Sequence, residues 1–363
     1  MYSLIEEFIA ELESGKYLAV LPISRLVLED RFSLGKFVFY PEGAVNLSEV
    51  RIVPNKTIES LNTGIGIIIA EGPDLREIKS SITGISIDTF KENAIVAFAV
   101  DLDWESFLLG THESELSLIY TLSQEVEKAM DLMKFYFCRI ELPDSLPGQV
   151  GTWNGSNGFS GALLYTLLDN ESYIIAGSVV THYIAKGVGL ELDQGQIKAI
   201  GGHPLLESNF GEVGNIAKMG LSLHSGVLES NNETTKFIRA MSLLEFLAFP
   251  DEYKKFELVK KEISCHVAKN PTDYQRLNDR FWELTGKKDD STGQIIGYRT
   301  QVIHMGKTLE EIVPNKQDRV KLLKELQRYI GVVLEDMIKN WEKSWDEFVD
   351  YRKQLKIKLG LKV

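Results

Sequence analysis

Residues 295–306 read IIGYRTQVIHMG, and the interpretation of the second half of the chain depends on this stretch. Arg299 and His304 lie five positions apart on what the apolar spacing predicts to be the last turns of an amphipathic helix, and Gly306 stands where such a helix ends. On an ideal helix the two side chains are roughly 140° apart, with about 7.5 Å of rise between them. They therefore flank one edge of the helix, and two copies facing each other would form a better pocket than one.

The pair of side chains suits phosphodiester chemistry. Arginine is a permanent cation whose planar donors match phosphate, and histidine is the side chain whose proton moves near neutral pH. A structural interpretation competes with this one. In it, Arg299 pairs with an acidic group such as Glu245, and His304 only stabilises the negative end of the helix dipole. The spacing alone leaves both interpretations open.

This stretch resembles the signature of the HEPN superfamily, most closely that of its Apea-like branch. That signature is an Arg, four to six residues and a His at the end of a late helix, and the run from Tyr298 to Gly306 fits it, including the hydrophobic pair before the His. The run Phe237–Leu247, FIRAMSLLEFL, resembles the family's opening helix. The resemblance covers roughly residues 231–315. The chain departs from many active members at Thr300, where they have Asn, Asp or His.

The resemblance implies a metal-independent RNA endonuclease that needs no cofactor. In such an enzyme His304 acts as general base on a 2′-hydroxyl, and Arg299 holds the scissile phosphate. Tyr298 and Thr300 are candidate second contacts to the substrate, and Glu245 is a candidate for orienting Arg299. The resemblance also implies a homodimer formed through the helical domain, with a role in prokaryotic defence, stress response or toxin–antitoxin systems. The alternative is a catalytically silent HEPN module for dimerisation or RNA binding, which Thr300 and the overall acidity favour.

The bulk composition limits these hypotheses. The 363 residues are 44% hydrophobic and 25% charged, which is ordinary for a globular protein long enough for two domains. The formal net charge of -12 argues against a surface that binds RNA everywhere, so any RNA contact has to be local. The two cysteines, Cys138 and Cys265, fall in different proposed domains and indicate reduced thiols. The acidic N-terminus and the shortness of the apolar run at 63–70 predict a cytoplasmic protein without membrane contact.

The first 225 residues carry the strand signals. A helix is predicted over residues 2–14 and a longer one over residues 114–138. Strands are predicted at 17–21, 25–28, 36–40, 50–53, 64–70, 94–102, 161–168, 172–176 and 182–192. Residues 1–225 are therefore predicted to form a mixed α/β domain that senses an unknown ligand or protein, and a subdivision near residue 150 is left open.

The strand signals disappear after the polar run LESNNETT at 228–235, which supplies a linker and a helix N-cap. Helices are predicted at 233–248, 252–268, 271–285, 289–304 and 317–357. The last of these runs into a mildly basic end, with 11 Lys and Arg against 7 Asp and Glu over residues 319–362. We interpret those charges as a solvated helix face. The sequence therefore predicts the α+β class, with an all-α, HEPN-like bundle over residues 226–363.

Other side chains with chemical potential lack the pattern of a site. Asp101 and Asp103 lie two apart after a buried strand, but no third metal ligand accompanies them, so no metal site is predicted. The remaining histidines are scattered without metal-ligand spacing and are predicted to be structural: His112, His182, His203, His224 and His266.

Overall fold

The computed structural model describes residues 1–52, 60–62, 67–69, 83–156, 158–181, 187–201, 203, 210–294 and 296–362. The chain divides into two compact units. The first consists of Met1–Met130 with Asp144–Leu206, and the second consists of Asp131–Pro143 with Glu207–Val363. The predicted α+β class is confirmed, since strands occupy the N-terminal part of the chain and the C-terminal part is largely helical.

The strands of the first unit match most of the predicted apolar runs. They are β1 (Tyr17–Ile23), β2 (Leu26–Leu28), β3 (Phe32–Leu34), β4 (Phe37–Tyr40), β5 (Arg51–Ile52), β6 (Ser60–Asn62), β7 (Ile67–Ile69), β8 (Ala94–Val100), β9 (Ser160–Thr166), β10 (Glu171–Gly177) and β11 (Leu190–Leu192). Parts of the strands predicted at 50–53, 64–70 and 182–192 lie outside the described ranges, and so does His182.

Seven of these strands form one sheet in the order β3-β4-β8-β1-β9-β10-β5. At its centre β1 pairs antiparallel with β8, from Tyr17 opposite Val100 to Ile23 opposite Ala94. The pairing of β10 with β5 is parallel. Every residue of β1 after Tyr17 is buried, which explains why its sequence is a continuous apolar run rather than an alternating one. Two-stranded sheets pair β2 with β11 and β6 with β7.

The first unit also contains helices. They are α1 (Leu4–Glu7), α2 (Ile9–Glu13), α3 (Ile87–Lys91), α4 (Trp104–Leu108), most of α5 (His112–Phe137) and α6 (Gln194–Ile200). The helix predicted over residues 2–14 is interrupted at Phe8, whose buried ring joins Leu4 and Leu12 in the core beneath the sheet. The boundary between the two units falls within α5, between Met130 and Asp131.

Among its described residues, the second unit is built from helices. After the end of α5 these are α7 (Glu212–Leu228), α8 (Glu233–Ala248), α9 (Phe256–Val267), α10 (Pro271–Thr285), α11 (Tyr298–Met305), α12 (Leu309–Ile312), α13 (Lys316–Lys339) and α14 (Trp345–Lys358). The boundary predicted at 225/226 lies inside α7. No helix of the described ranges is both long and apolar enough to pass through a membrane.

The core of the second unit lies where α7, α8 and α13 meet. Gly220 of α7 makes this close approach possible, since a Cβ there would lie 2.7 Å from Leu334 Cδ2 and 3.0 Å from Leu247 Cδ2. Phe237, Leu247 and Leu334 are fully buried in this core. Burying side chains of this size is the main source of stability for such a bundle, at about 1.5–3 kcal/mol each.

Three helices are shorter than the periodicity predicts, and one of them is α9, which begins at Phe256 rather than at residue 252. Residues 289–294 form a turn rather than the start of a helix, because Asp289 accepts hydrogen bonds from the backbone of Ser291 and Thr292 and Gly293 has a φ of 68°. The helix predicted over 317–357 is divided after Lys339. Ser344 caps the second piece, α14, by accepting from the backbone N–H of Glu347, and this side-chain cap defines a new helix start.

Candidate catalytic helix

The short helix α11 carries both residues of the predicted pair, Arg299 and His304. Its start packs closely against the end of α10. A Cβ on Gly297 would lie 2.5 Å from the Thr285 carbonyl carbon, so only glycine fits there. Its end is closed by Gly306, which has a φ of 68° and donates its N–H to the carbonyl of Gln301. Val302 is the buried residue of the helix. Both ends of α11 are therefore fixed by backbone contacts.

Arg299 lies in the first turn of α11 and reaches across to α8. Its Nη2 is 2.9 Å from Glu245 Oε1, and each of the two side chains is about a quarter exposed, at 26% and 23%. Its Nε is buried and has no hydrogen-bond partner in the described part of the chain. Burial raises the pKa of Glu245 and the nearby Arg299 cation opposes that rise. The guanidinium is thus anchored on one side and still holds an unused donor.

His304 lies in the last turn of the same helix and is exposed. Its imidazole makes no hydrogen bond or ion pair with any other described residue, and in particular none with Arg299. The helix ends with the N–H of Gly306 donating to the Gln301 carbonyl, and not with a side-chain cap from the imidazole. Its neighbours Ile303 and Met305 are also exposed, at 43% and 44%. This end of α11 therefore presents an imidazole beside two apolar side chains.

The supporting residues contact the end of α10. The hydroxyl of Thr300 donates to the carbonyl of Thr285 at 3.4 Å. The hydroxyl of Tyr298 donates to Glu283 Oε1 at 3.5 Å, and burial, with Glu283 beside it, raises the pKa of Tyr298. Of the predicted site residues, Arg299 and Glu245 are brought together. Tyr298 and Thr300 hold the start of α11 in place, and His304 stands apart at the other end.

One copy of α11 therefore supplies two chemical groups at separate places. Arg299 can offer donors to a phosphate, and His304 can exchange a proton with a bound molecule. No group of three or more His, Cys, Asp or Glu side chains suited to a metal ion occurs within the described ranges. Asp103, considered above as a ligand, instead caps α4 by accepting from the backbone and hydroxyl of Ser106.

A basic cavity in the second unit is a feature that the sequence analysis missed. It has a volume of about 950 Å³, and Lys321, Lys324 and Arg328 of α13 are among its lining residues. These three lie at i, i+3 and i+7, the spacing of one helix face. The mildly basic composition of residues 319–362 contained this signal, but we interpreted it as a solvated face. Nothing in the sequence indicated that other cations would meet this face across the bundle.

Comparisons with protein-family models, with curated proteins and with solved structures find no match to this chain.

Proposed function

We propose that the second unit is a HEPN-type domain and that the protein is a metal-independent RNA endonuclease acting through Arg299 and His304. The observation that carries this proposal is the contrast between the two side chains of α11. Arg299 is anchored by Glu245, whereas His304 is exposed, without a partner among the described residues, at a helix end that Gly306 already closes. A structural role accounts fully for the position of Arg299, whereas for His304 it leaves only an interaction with the negative end of the helix dipole.

The chemistry follows from the properties of the two groups. His304 accepts the proton of a 2′-hydroxyl as that oxygen attacks phosphorus. Arg299 stabilises the charge that develops on the phosphate oxygens. The bond from phosphorus to the 5′-oxygen breaks, and that oxygen takes a proton from a protonated imidazole. The products are a 2′,3′-cyclic phosphate and a 5′-hydroxyl, and the cycle consumes no redox equivalent.

The proposed active form is a homodimer. An eight-residue helix rotates Arg299 and His304 roughly 140° apart, so a second copy has to complete the cleft. His304 of the partner subunit would then donate the proton to the leaving oxygen. The exposed side chains of Ile303 and Met305 favour packing of this end of the helix on an apolar surface. The first unit is proposed to sense a ligand or protein and so to regulate cleavage.

The setting proposed for this activity is the cytoplasm, in prokaryotic defence or stress response. Cys138 and Cys265 are both buried and are not joined in a disulfide, and burial raises the pKa of each thiol to about 12. Reduced thiols of this kind are consistent with a reducing compartment.

The test is an RNA cleavage assay with EDTA present, on the full chain and its His304→Ala variant. We expect cleavage by the parent, 2′,3′-cyclic phosphate ends, and a loss of at least about a hundredfold in the variant, as for removal of a general base. His112→Ala is the matched control, since His112 is a half-exposed histidine of the first unit. Equal cleavage by all three proteins would identify a contaminating nuclease and count against the proposal.

The alternative is a catalytically silent HEPN module that dimerises or binds RNA. The contacts of Thr300 favour it, because its hydroxyl already donates to Thr285. The ion pair of Arg299 with Glu245 favours it as well. This alternative predicts RNA binding without cleavage, with an affinity that His304→Ala leaves unchanged and Arg299→Ala weakens.

A further inference from the structure

A cavity of about 950 Å³ lies within the second unit, between the end of α5 and helices α7, α10 and α13. Neither Arg299 nor His304 lines it. Its lining includes six basic side chains: Arg139, Arg276, Arg280, Lys321, Lys324 and Arg328. A volume of this size is typical of sites that enclose a small molecule, at roughly 300–1,000 Å³.

Six cations line the cavity, and carboxylates already offset most of them. Three carboxylates belong to the lining: Glu141, Glu325 and Glu335. From outside the lining, Asp273 pairs with Arg276 and Asp318 pairs with Lys321. The cations without a carboxylate partner, rather than the total charge of the lining, therefore point to an anionic ligand.

The cations of the cavity differ in whether they already have partners. Arg280 pairs with Glu325 and Glu283, and Lys324 lies 2.9 Å from Glu141. In contrast, Arg139 and Arg328 form no ion pair with a described carboxylate, and the Arg328 guanidinium lies 5.0 Å from the centre of the Tyr329 ring. Arg139 comes from the segment after α5 and Arg328 from α13. Two guanidinium groups from separate segments are thus available to a bound anion.

A buried histidine that lines the same cavity supplies an independent observation. His224 is 1% exposed, and its Nδ1 has no hydrogen-bond partner in the described part of the chain. Burial lowers the pKa of His224 to about 4, so the ring is neutral at neutral pH. Its other nitrogen, Nε2, lies 3.5 Å from Nε2 of Gln327.

The hydrogen bonds of Gln327 determine the tautomer of this ring. Its Oε1 accepts from the backbone N–H of Ile140 at 2.9 Å, and its Nε2 donates to the Cys138 carbonyl at 3.0 Å. Its amide nitrogen can therefore only donate to His224 Nε2, which leaves the imidazole proton on Nδ1. A buried N–H without an acceptor is unfavourable, so a ligand acceptor at Nδ1 would offset that cost.

We propose that this cavity binds a small molecule that carries two or more linked phosphate groups, either a nucleoside polyphosphate or free polyphosphate. Arginine forks bind phosphate oxygens through paired, charge-assisted hydrogen bonds, and Arg139 and Arg328 supply them from two segments. His224 adds a neutral donor, and the aromatic rings of Tyr136 and Phe135 add a surface for a base. A cavity of about 950 Å³ suits a compact ligand better than a long RNA strand.

The test is isothermal titration of the full chain with ATP, ADP, AMP, tripolyphosphate and a single-stranded RNA, without added metal. AMP has a single phosphate group, whereas ATP, ADP and tripolyphosphate each have at least two that are linked. We expect ATP and ADP, or tripolyphosphate alone, to bind more tightly than AMP. Equal affinity for ATP and tripolyphosphate would identify a free polyphosphate site, and tighter binding of ATP would identify a nucleotide site. Binding is measured directly, so the result does not depend on nuclease activity.

The variant that tests the site is the double change Arg139→Gln with Arg328→Gln. Because neither arginine forms an ion pair with a described carboxylate, the double change breaks no such pair. Unchanged thermal unfolding would verify that the fold is intact. We expect it to weaken binding by at least about tenfold. The control, Lys260→Gln with Lys261→Gln on α9, removes the same charge away from the cavity. The absence of binding by all phosphate compounds, equal weakening by both double variants, or binding of RNA alone would overturn the proposal.

Discussion

His304 and Arg299 belong to one short helix, but the protein holds them in different ways. Arg299 is partly buried and paired with a carboxylate of a neighbouring helix, so its position is set by the packing of α8 against α11. His304 extends from a helix end that is closed by backbone hydrogen bonds alone. An imidazole in this position has freedom to meet a substrate. The proposed division of roles, a positioned cation and an accessible base, follows from these two environments.

Another histidine, His224, makes stability depend on pH. The unfolded chain binds a proton near the ordinary pKa of 6.5, whereas burial lowers the folded pKa to about 4. Between these pH values the unfolded state binds more protons than the folded state. The contribution of His224 to the free energy of unfolding is therefore complete above about pH 6.5 and is lost as the pH falls towards 4. We expect the free energy of unfolding to fall by about 2 kcal/mol between pH 7 and pH 5 from this residue.

Urea denaturation at the two pH values measures this contribution. His224→Phe keeps a ring and removes the titration, so it should reduce the loss of stability at pH 5. Some dependence will remain because burial also lowers the pKa of His266. The exposed His112 provides the control, and His112→Phe should leave the dependence as in the parent. An identical pH dependence in the parent and His224→Phe would contradict the assignment.

At the scale of elements, a buried arginine connects α14 to the end of α8. Arg352 is 2% exposed and donates to the carbonyls of Leu247 and Ala248 at 2.7 and 2.8 Å, which are the last residues of α8. Its Nε donates to His266 Nε2, and the other ring nitrogen of His266 contacts Asp336 at 2.7 Å. A cation here also meets the negative end of the α8 dipole. Arg352 of α14 thus contacts α8 and α9 directly, and His266 extends the network to α13.

Arg352→Met is expected to lower the free energy of unfolding by about 3 kcal/mol, because it leaves two buried carbonyls and an imidazole without their donors. The measurement is chemical denaturation at neutral pH. Lys353→Met is the matched control from the next position of α14. It is half exposed and pairs only with Asp350 in the described part of the chain, so it should change stability by less than about 0.5 kcal/mol. Similar losses in the two variants would contradict the role given to Arg352.

The end of α11 gives a second prediction at this scale. Gly306 has a φ of 68°, and a Cβ there would meet nothing within 4 Å. Gly306→Ala should therefore lower stability only through the unfavourable backbone conformation, and not through a steric clash. We expect a loss of about 1 kcal/mol in the free energy of unfolding. Gly331→Ala has equally open space but lies inside the regular helix α13, and it should gain about 0.5–1 kcal/mol. Changes of the same sign would contradict this explanation.

At the scale of the whole molecule, the second unit is assembled from two separate parts of the sequence. Residues 131–143 belong to it and contact helices far along the chain. Lys236 donates to the Ile140 carbonyl at 3.1 Å, and Gln327 bonds to the backbone of Cys138 and Ile140. Buried polar groups of this kind depend on one another, so removing the segment leaves Lys236 and Gln327 unpaired.

A fragment of residues 226–363 is therefore expected not to fold cooperatively. It begins inside α7, which ends at Leu228, and it lacks the segment at 131–143. Circular dichroism against temperature should show a sharp transition for the full chain and a broad, weak one for the fragment. A transition in the fragment with the midpoint of the full chain would show that the segment is dispensable.

Local signals in the sequence determined the bounds of some helices. The predictions of 233–248 and 271–285 agree with α8 and α10 residue by residue. Asn232 caps α8 by accepting from the N–H of Thr235, and Asn270 followed by Pro271 starts α10. Caps and apolar periodicity act within one turn of the chain, so they can be recognised without the fold. The α+β class was open to prediction for the same reason, because strand and helix periodicity are local patterns.

Only the tertiary structure decided which distant residues meet. The sequence named Glu245 as a possible partner of Arg299, and the structure decided that the two meet. The structure also placed residues 131–143 in the helical unit and gathered the cations of α10, α13 and the segment after α5 around one cavity. These contacts join positions up to about two hundred residues apart, as between Cys138 and Gln327. Periodicity and capping carry no information about such pairs, because the packing of whole helices sets the distances between them.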